Sequence, residues 1–67
     1  MATFAQELKR ARIEAGLTQQ ELADKADVHR MYVSLLERGE RSPTLDVLFR
    51  LCKALEIRPS NFIKRIE

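Results

Sequence analysis

The chain has 67 residues, 45% of them hydrophobic and 33% charged, with a net charge of +2. That composition excludes a disordered chain and sets one small domain, marginal on its own because a chain of this size buries only about 60% of its unfolded surface. No apolar run approaches the roughly 20 residues of a membrane span, no signal-peptide pattern is present, and the single cysteine, Cys52, excludes an internal disulfide or a cysteine metal site.

Thr3 and Gln6 have capping-box spacing and open a first helix. Phe4, Leu8, Ala11, Arg12 and Ala15 share one face of it, Ile13 lies off that face, and Gly16 ends the helix. Arg12 is out of place on an apolar face, and its own sequence context suggests only a side chain that snorkels to water. Thr18 and Glu21 repeat the capping box and open a second helix, with Leu22, Ala23 and Ala26 as its apolar stripe. Gln19 sits at its N-terminus, where free N–H groups and the helix dipole suit a phosphate. Ala26-Asp27-Val28 forms a turn, since Asp tolerates a left-handed backbone better than most residues.

A third helix is expected from about His29 to Arg38, ended by Gly39. At 100° per residue Tyr32, Val33 and Leu36 fall on one side, continuing from Val28. Arg30, Met31, Ser34 and Arg38 fall on the other, with Leu35 at the border. Such a helix can lock its orientation with one face and offer donors to base edges and phosphates with the other. Thr44 caps a fourth helix running to about Leu55. Leu45, Leu48, Cys52 and Leu55 form its core stripe, and Val47, Leu51 and Ala54 widen the apolar arc past half the circumference, as in a helix buried on two sides. Pro59 opens a short fifth helix carrying Phe62, Ile63 and Ile66. Val47, Leu51, Phe62, Ile63 and Ile66 exceed what one small core should need and are assigned to a two-fold dimer interface built from residues 44–66.

Leu17-Thr18-Gln19-Gln20-Glu21-Leu22-Ala23, Tyr32-Val33-Ser34, Glu37-Arg38-Gly39-Glu40-Arg41 and Pro43 together resemble the lambda-repressor-like (Cro/repressor, xenobiotic-response-element) helix-turn-helix family, from Leu8 to Phe62. The chain departs from the family pattern at Asp27 and Glu56, where glycine is usual, and at His29, where a Ser or Thr cap is usual. The resemblance implies an all-α, compact five-helix domain over residues 1–67, with the helix-turn-helix motif at about 18–38. It also implies a structural ion pair between Arg12 and Glu37, and a DNA contact from Gln19.

Within that frame Arg30, Ser34 and Leu35 are expected to face a major groove, Arg38 to contact DNA, and Arg41 to meet a phosphate at the groove's edge. Met31 either touches a thymine methyl or fills a surface gap. Tyr32 can pack its ring inside and send its hydroxyl to a phosphate. His29 and Thr44 either cap their helices or approach the DNA backbone. Net charge is −2 over residues 18–28, +1 over 29–41 and +2 over 42–67, a local basic patch and not a basic tail. Catalysis lacks parts: there is one His, one Cys, no Gly-rich phosphate loop and no His to activate Ser34.

The sequence therefore predicts a cytoplasmic, non-enzymatic, homodimeric transcriptional regulator that binds a pseudo-palindromic operator in double-stranded DNA. Its size and layout are similar to Cro-like phage repressors and to restriction–modification controller proteins. RNA polymerase is a further candidate partner; no cofactor, metal or small-molecule ligand is expected. The competing reading is an antitoxin or other interaction module that holds a partner protein through its last two helices.

Overall fold

The computed structural model describes residues 2–66. Among them are five helices and no strand: α1 (Phe4–Glu14), α2 (Gln19–Ala26), α3 (Arg30–Glu37), α4 (Leu45–Leu55) and α5 (Pro59–Ile66). Both capping boxes form. The Thr3 hydroxyl accepts from the Gln6 amide at 3.2 Å, and Gln6 Oε1 accepts from the Thr3 amide at 3.0 Å. Thr18 and Glu21 make the same exchange at 3.0 and 2.8 Å. The Thr18 backbone N–H, followed by its hydroxyl, holds the Glu21 carboxyl below its ordinary range. The Glu21 contribution to folding is thus present above its unfolded pKa and fades as pH falls through the lower folded value.

The first four helices end alike. The N–H of Leu17, Val28, Glu40 and Ile57 donates back to the carbonyl of Arg12, Ala23, Leu35 and Cys52, and the preceding N–H donates to Ile13, Asp24, Leu36 and Lys53. This paired closure requires a left-handed residue just past the helix. Gly16 and Gly39 supply it at φ 73° and 76°, while Asp27 and Glu56 adopt it at φ 56° and 58° without being glycine. Leu17, Val28 and Ile57 then pack on the core, so three of the four closures also turn the chain inward, while Glu40 after α3 stays exposed. The left-handed conformation costs a side-chain-bearing residue roughly 1–2 kcal/mol, partly offset by the extra unfolded-state entropy of glycine. Glu56→Gly should therefore stabilise the domain by about 0.5–1 kcal/mol, a rise of roughly 2–8 °C in Tm, readable by thermal unfolding.

The core gathers Leu8 and Ala11 of α1, Leu22, Ala23 and Ala26 of α2, Val33 and Leu36 of α3, Leu51, Cys52 and Leu55 of α4 and Phe62 of α5. α2 lies against α3 and α4, α1 against α3 and α5, and α4 against α5. Phe4 meets Phe62 edge to face at 5.7 Å. Burial pushes the Cys52 thiol up, as expected of a packed, unreactive side chain.

Three sequence expectations are corrected here. Leu51 and Phe62 are each 1% exposed, so they fill the domain's own core and cannot form a dimer surface. Leu45, placed on the core stripe, is 65% exposed because it opens α4 before that helix enters the core. The outward apolar residues of the last two helices are Leu45, Phe49 (49% exposed) and Ile63 (42%), with Val47 and Ile66 half-buried against the core.

The α1–α5 contact also holds a buried acid. Glu7 is buried, with Arg65 Nη2 3.3 Å and Arg10 Nη1 3.6 Å from its carboxylate. Arg65 reaches on to Glu14 at 3.0 Å and so ties α5 to two turns of α1. Glu7 Oε2 lies close to Arg65 yet makes no hydrogen bond, so Coulomb attraction is its chief support. Arg65→Met should cost about 1–2 kcal/mol, less than a fully buried pair because Arg65 is partly solvated. Thermal unfolding checks this: the loss should shrink in Glu7→Gln/Arg65→Met, where no charge is left stranded.

Candidate nucleic-acid interface

α3 carries a sealed face and, at its first turn, an exposed one. His29 stands where a Ser or Thr cap would, and it caps the helix in the same way, with Nδ1 accepting from the Met31 N–H at 3.2 Å. Val33 and Leu36 are sealed in the core and Tyr32 packs against it, which sets the helix's rotation. That rotation leaves Arg30 and Met31 exposed in the first turn, with Ser34 and Leu35 half-buried beyond them. Arg38, just past the helix, is exposed but lies 3.0 Å from Glu40. Phosphate would have to compete with that carboxylate for the Arg38 guanidinium, although such solvated pairs are weak.

The N-terminus of α2 is anchored to α3 by side chains. Arg12 Nε donates to Glu37 Oε2 at 2.7 Å and Arg12 Nη2 to Glu37 Oε1 at 3.1 Å, a two-pronged pair. Arg12 Nη1 also donates to the Leu17 carbonyl at 2.9 Å, next to the Thr18 cap. Gln19 Nε2 donates to Glu37 Oε1 at 3.1 Å. The side chains of Arg12 and Glu37 are 12% and 3% exposed, so Arg12 neither snorkels nor lacks a partner. α1, α2 and α3 thus meet at one carboxylate.

Arg41 is exposed in the connection after α3. The Thr44 hydroxyl accepts from the Val47 N–H at 3.2 Å, so it caps α4. Sequence reasoning did not anticipate three contacts: Gln19 on Glu37, Glu40 on Arg38, and Arg50 Nη1 donating to the Asp27 carbonyl at 3.2 Å across the helix-turn-helix turn. Arg38 and Glu40 are only two residues apart, so that pair was open to a charge-pattern search; the other two join distant segments. No group of residues suited to a metal occurs among the described residues, and no helix among them is long and apolar enough to cross a membrane.

Comparison with known proteins agrees with this arrangement. The helix-turn-helix family's sequence profile matches residues 8–62. Control protein C.BamHI of Bacillus amyloliquefaciens is 34% identical over 61 residues, spanning 90% of this chain and 75% of that protein. The restriction–modification controller protein C.AhdI from Aeromonas hydrophila superposes with a TM-score of 0.85 at 37% identity, covering 88% of this chain and 89% of that one. The restriction–modification controller protein C.Esp1396I, solved as a tetramer in complex with its natural 35 base-pair operator, superposes with a TM-score of 0.86 at 33% identity over 94% of this chain and 83% of that one. With its two capped helices, the left-handed turn between them and the exposed first turn of α3, the chain belongs to the helix-turn-helix family.

Proposed function

We propose that the protein is a sequence-specific double-stranded DNA-binding transcriptional regulator of the restriction–modification controller type, acting as a homodimer. The observation that carries this is α3: its rotation is fixed by Val33 and Leu36, and its first turn presents Arg30 and Met31 to solvent. Two copies related by a two-fold axis would place two such helices in successive major grooves, on the order of 34 Å apart, on a pseudo-palindromic operator. Arg30, Met31, Ser34 and Leu35 would read bases. Gln19, Tyr32, Arg38 and Arg41 would hold the backbone, while His29 and Thr44 shape the helix ends. The protein acts in the cytoplasm, without catalysis, and contact with RNA polymerase would set whether binding activates or represses. Selection of binding sites from random duplex DNA tests the reading; a symmetric consensus supports it, and no enrichment at low salt would sink it.

The same proposal assigns the dimer to the outer flanks of α4 and α5. Leu45 and Phe49 lie one turn apart on α4, and Ile63 is exposed on α5, which packs against α4. A two-fold contact sets each such patch against its own copy. Phe49→Glu would bury a carboxylate in that contact and should give a monomer by sedimentation at tens of micromolar, with the helical content kept. A wild-type protein that is itself a monomer, with and without operator, would refute the assembly. A neighbouring gene for a toxin, in place of a methyltransferase and endonuclease, would favour the antitoxin reading.

A further inference from the structure

Glu37 is already satisfied as an ion-pair partner, since Arg12 engages both of its oxygens. Yet Oε1 also takes the Gln19 amide at 3.1 Å. An ionised carboxylate only accepts, so the atom of Gln19 facing it is the amide nitrogen. That nitrogen carries a second N–H which the bond to Glu37 leaves free. Gln19 is the first residue of α2. Behind it the Thr18 hydroxyl takes the Glu21 N–H and the Thr18 carbonyl takes the Leu22 N–H, so the N–H groups of Gln19 and Gln20 lie ahead of both bonds. The same helix end therefore carries a side-chain donor and first-turn backbone donors.

We propose that Glu37 is a positioning residue for phosphate binding: its Oε1 holds the Gln19 amide so that the free Nε2–H, beside the first-turn N–H groups of α2, is presented to a DNA phosphate at a fixed distance from the α3 reading face. The proposal rests on the DNA-binding reading above and adds a role to a carboxylate that never touches DNA. Preorganisation is the physical gain. An unrestrained glutamine would have to be ordered on binding, whereas Glu37 has ordered it in the free protein. Because Glu37 ends α3, the clamp also sets the phosphate anchor against the base-reading helix with no flexible joint between them.

Replacing single phosphates of the operator with neutral methylphosphonates tests this. In the wild type, one phosphate per half-site should lose about two- to tenfold in affinity through Gln19, the range of one net hydrogen bond. Gln19→Ala should lose that sensitivity while keeping its fold and its salt dependence, since a neutral amide releases no counterion. Glu37→Gln, assayed well below its melting temperature, should lose the same sensitivity and keep that of the phosphate held by Arg41. Full sensitivity at the Gln19 phosphate in folded Glu37→Gln would overturn the positioning role while leaving operator binding intact. Should Glu37→Gln fail to fold, side-chain amide NMR of the wild type decides: the Gln19 Nε2 group should be as ordered as the backbone before DNA is added. Mobility equal to that of Gln6 would overturn the proposal. Absence of operator binding by the wild type would instead remove the DNA-binding reading itself.

Discussion

Arg12→Ala should lower stability by about 2–3 kcal/mol, between the small value of a solvated ion pair and the 3–5 kcal/mol for breaking a fully buried one. The size of the loss follows from what is left behind. Glu37 has a nearly inaccessible carboxylate, and without Arg12 its remaining bond is the one from Gln19. The Leu17 carbonyl loses its guanidinium donor as well, at the point where α1 hands the chain to α2. A domain of this size has only roughly 3–10 kcal/mol in total, so the loss is a large share of it. Thermal unfolding should register a fall of roughly 10–20 °C. Removing both charges with apolar replacements, Arg12→Met with Glu37→Leu, should restore much of the loss, because the penalty belongs to the stranded charge more than to the absent pair. An unchanged melting temperature in Arg12→Ala would mean that the pair adds nothing to the fold.

This pair also marks where sequence reasoning stops. Capping boxes, left-handed helix ends and apolar stripes act within a few residues, so Thr3–Gln6, Thr18–Glu21 and the turn at Asp27 are legible from spacing. Arg12 and Glu37 are 25 residues apart, and periodicity shows only that Arg12 is misplaced on its face; the partner comes from family resemblance. Glu7 gives less warning still, since its guanidinium partner stands on the last helix. On α4 the apolar arc is so wide that the pattern cannot say which part a neighbouring helix covers. It puts Leu51 outward, where the structure buries it, and Leu45 inward, where the structure exposes it. Short-range chemistry survives in the sequence; the choice between two apolar flanks depends on where α2 and α5 lie. At the candidate interface, the residue types and the rotation of α3 are readable, but the grip of Glu37 on Gln19 and of Glu40 on Arg38 depends on side-chain reach across a folded surface.

Arg30 and Arg41 should separate reading from holding. Arg30 is exposed in the first turn of α3, whose rotation Val33 and Leu36 fix. A guanidinium there can donate two parallel bonds to guanine O6 and N7, the commonest specific contact in a major groove. Arg41 lies beyond the helix in the connection to α4, where the nearest DNA atoms would be backbone oxygens. The two roles leave different thermodynamic signatures. Arg30→Ala should cost about 1–3 kcal/mol per subunit on the selected operator, about 2–6 kcal/mol for a dimer, and relax the preference at one base pair of each half-site. On scrambled DNA its effect should be small. Arg41→Ala should weaken both duplexes alike and flatten the log–log salt dependence by about one unit per subunit, as one fewer phosphate is neutralised. Isotherms on operator and scrambled duplexes at several salt concentrations measure both. Equal weakening of the two duplexes by Arg30→Ala would make it a phosphate contact. The reading would then have to come from Met31, Ser34 and Leu35, the remaining residues proposed to face the groove, and a thymine methyl against Met31 would be the first contact to test by substituting uracil.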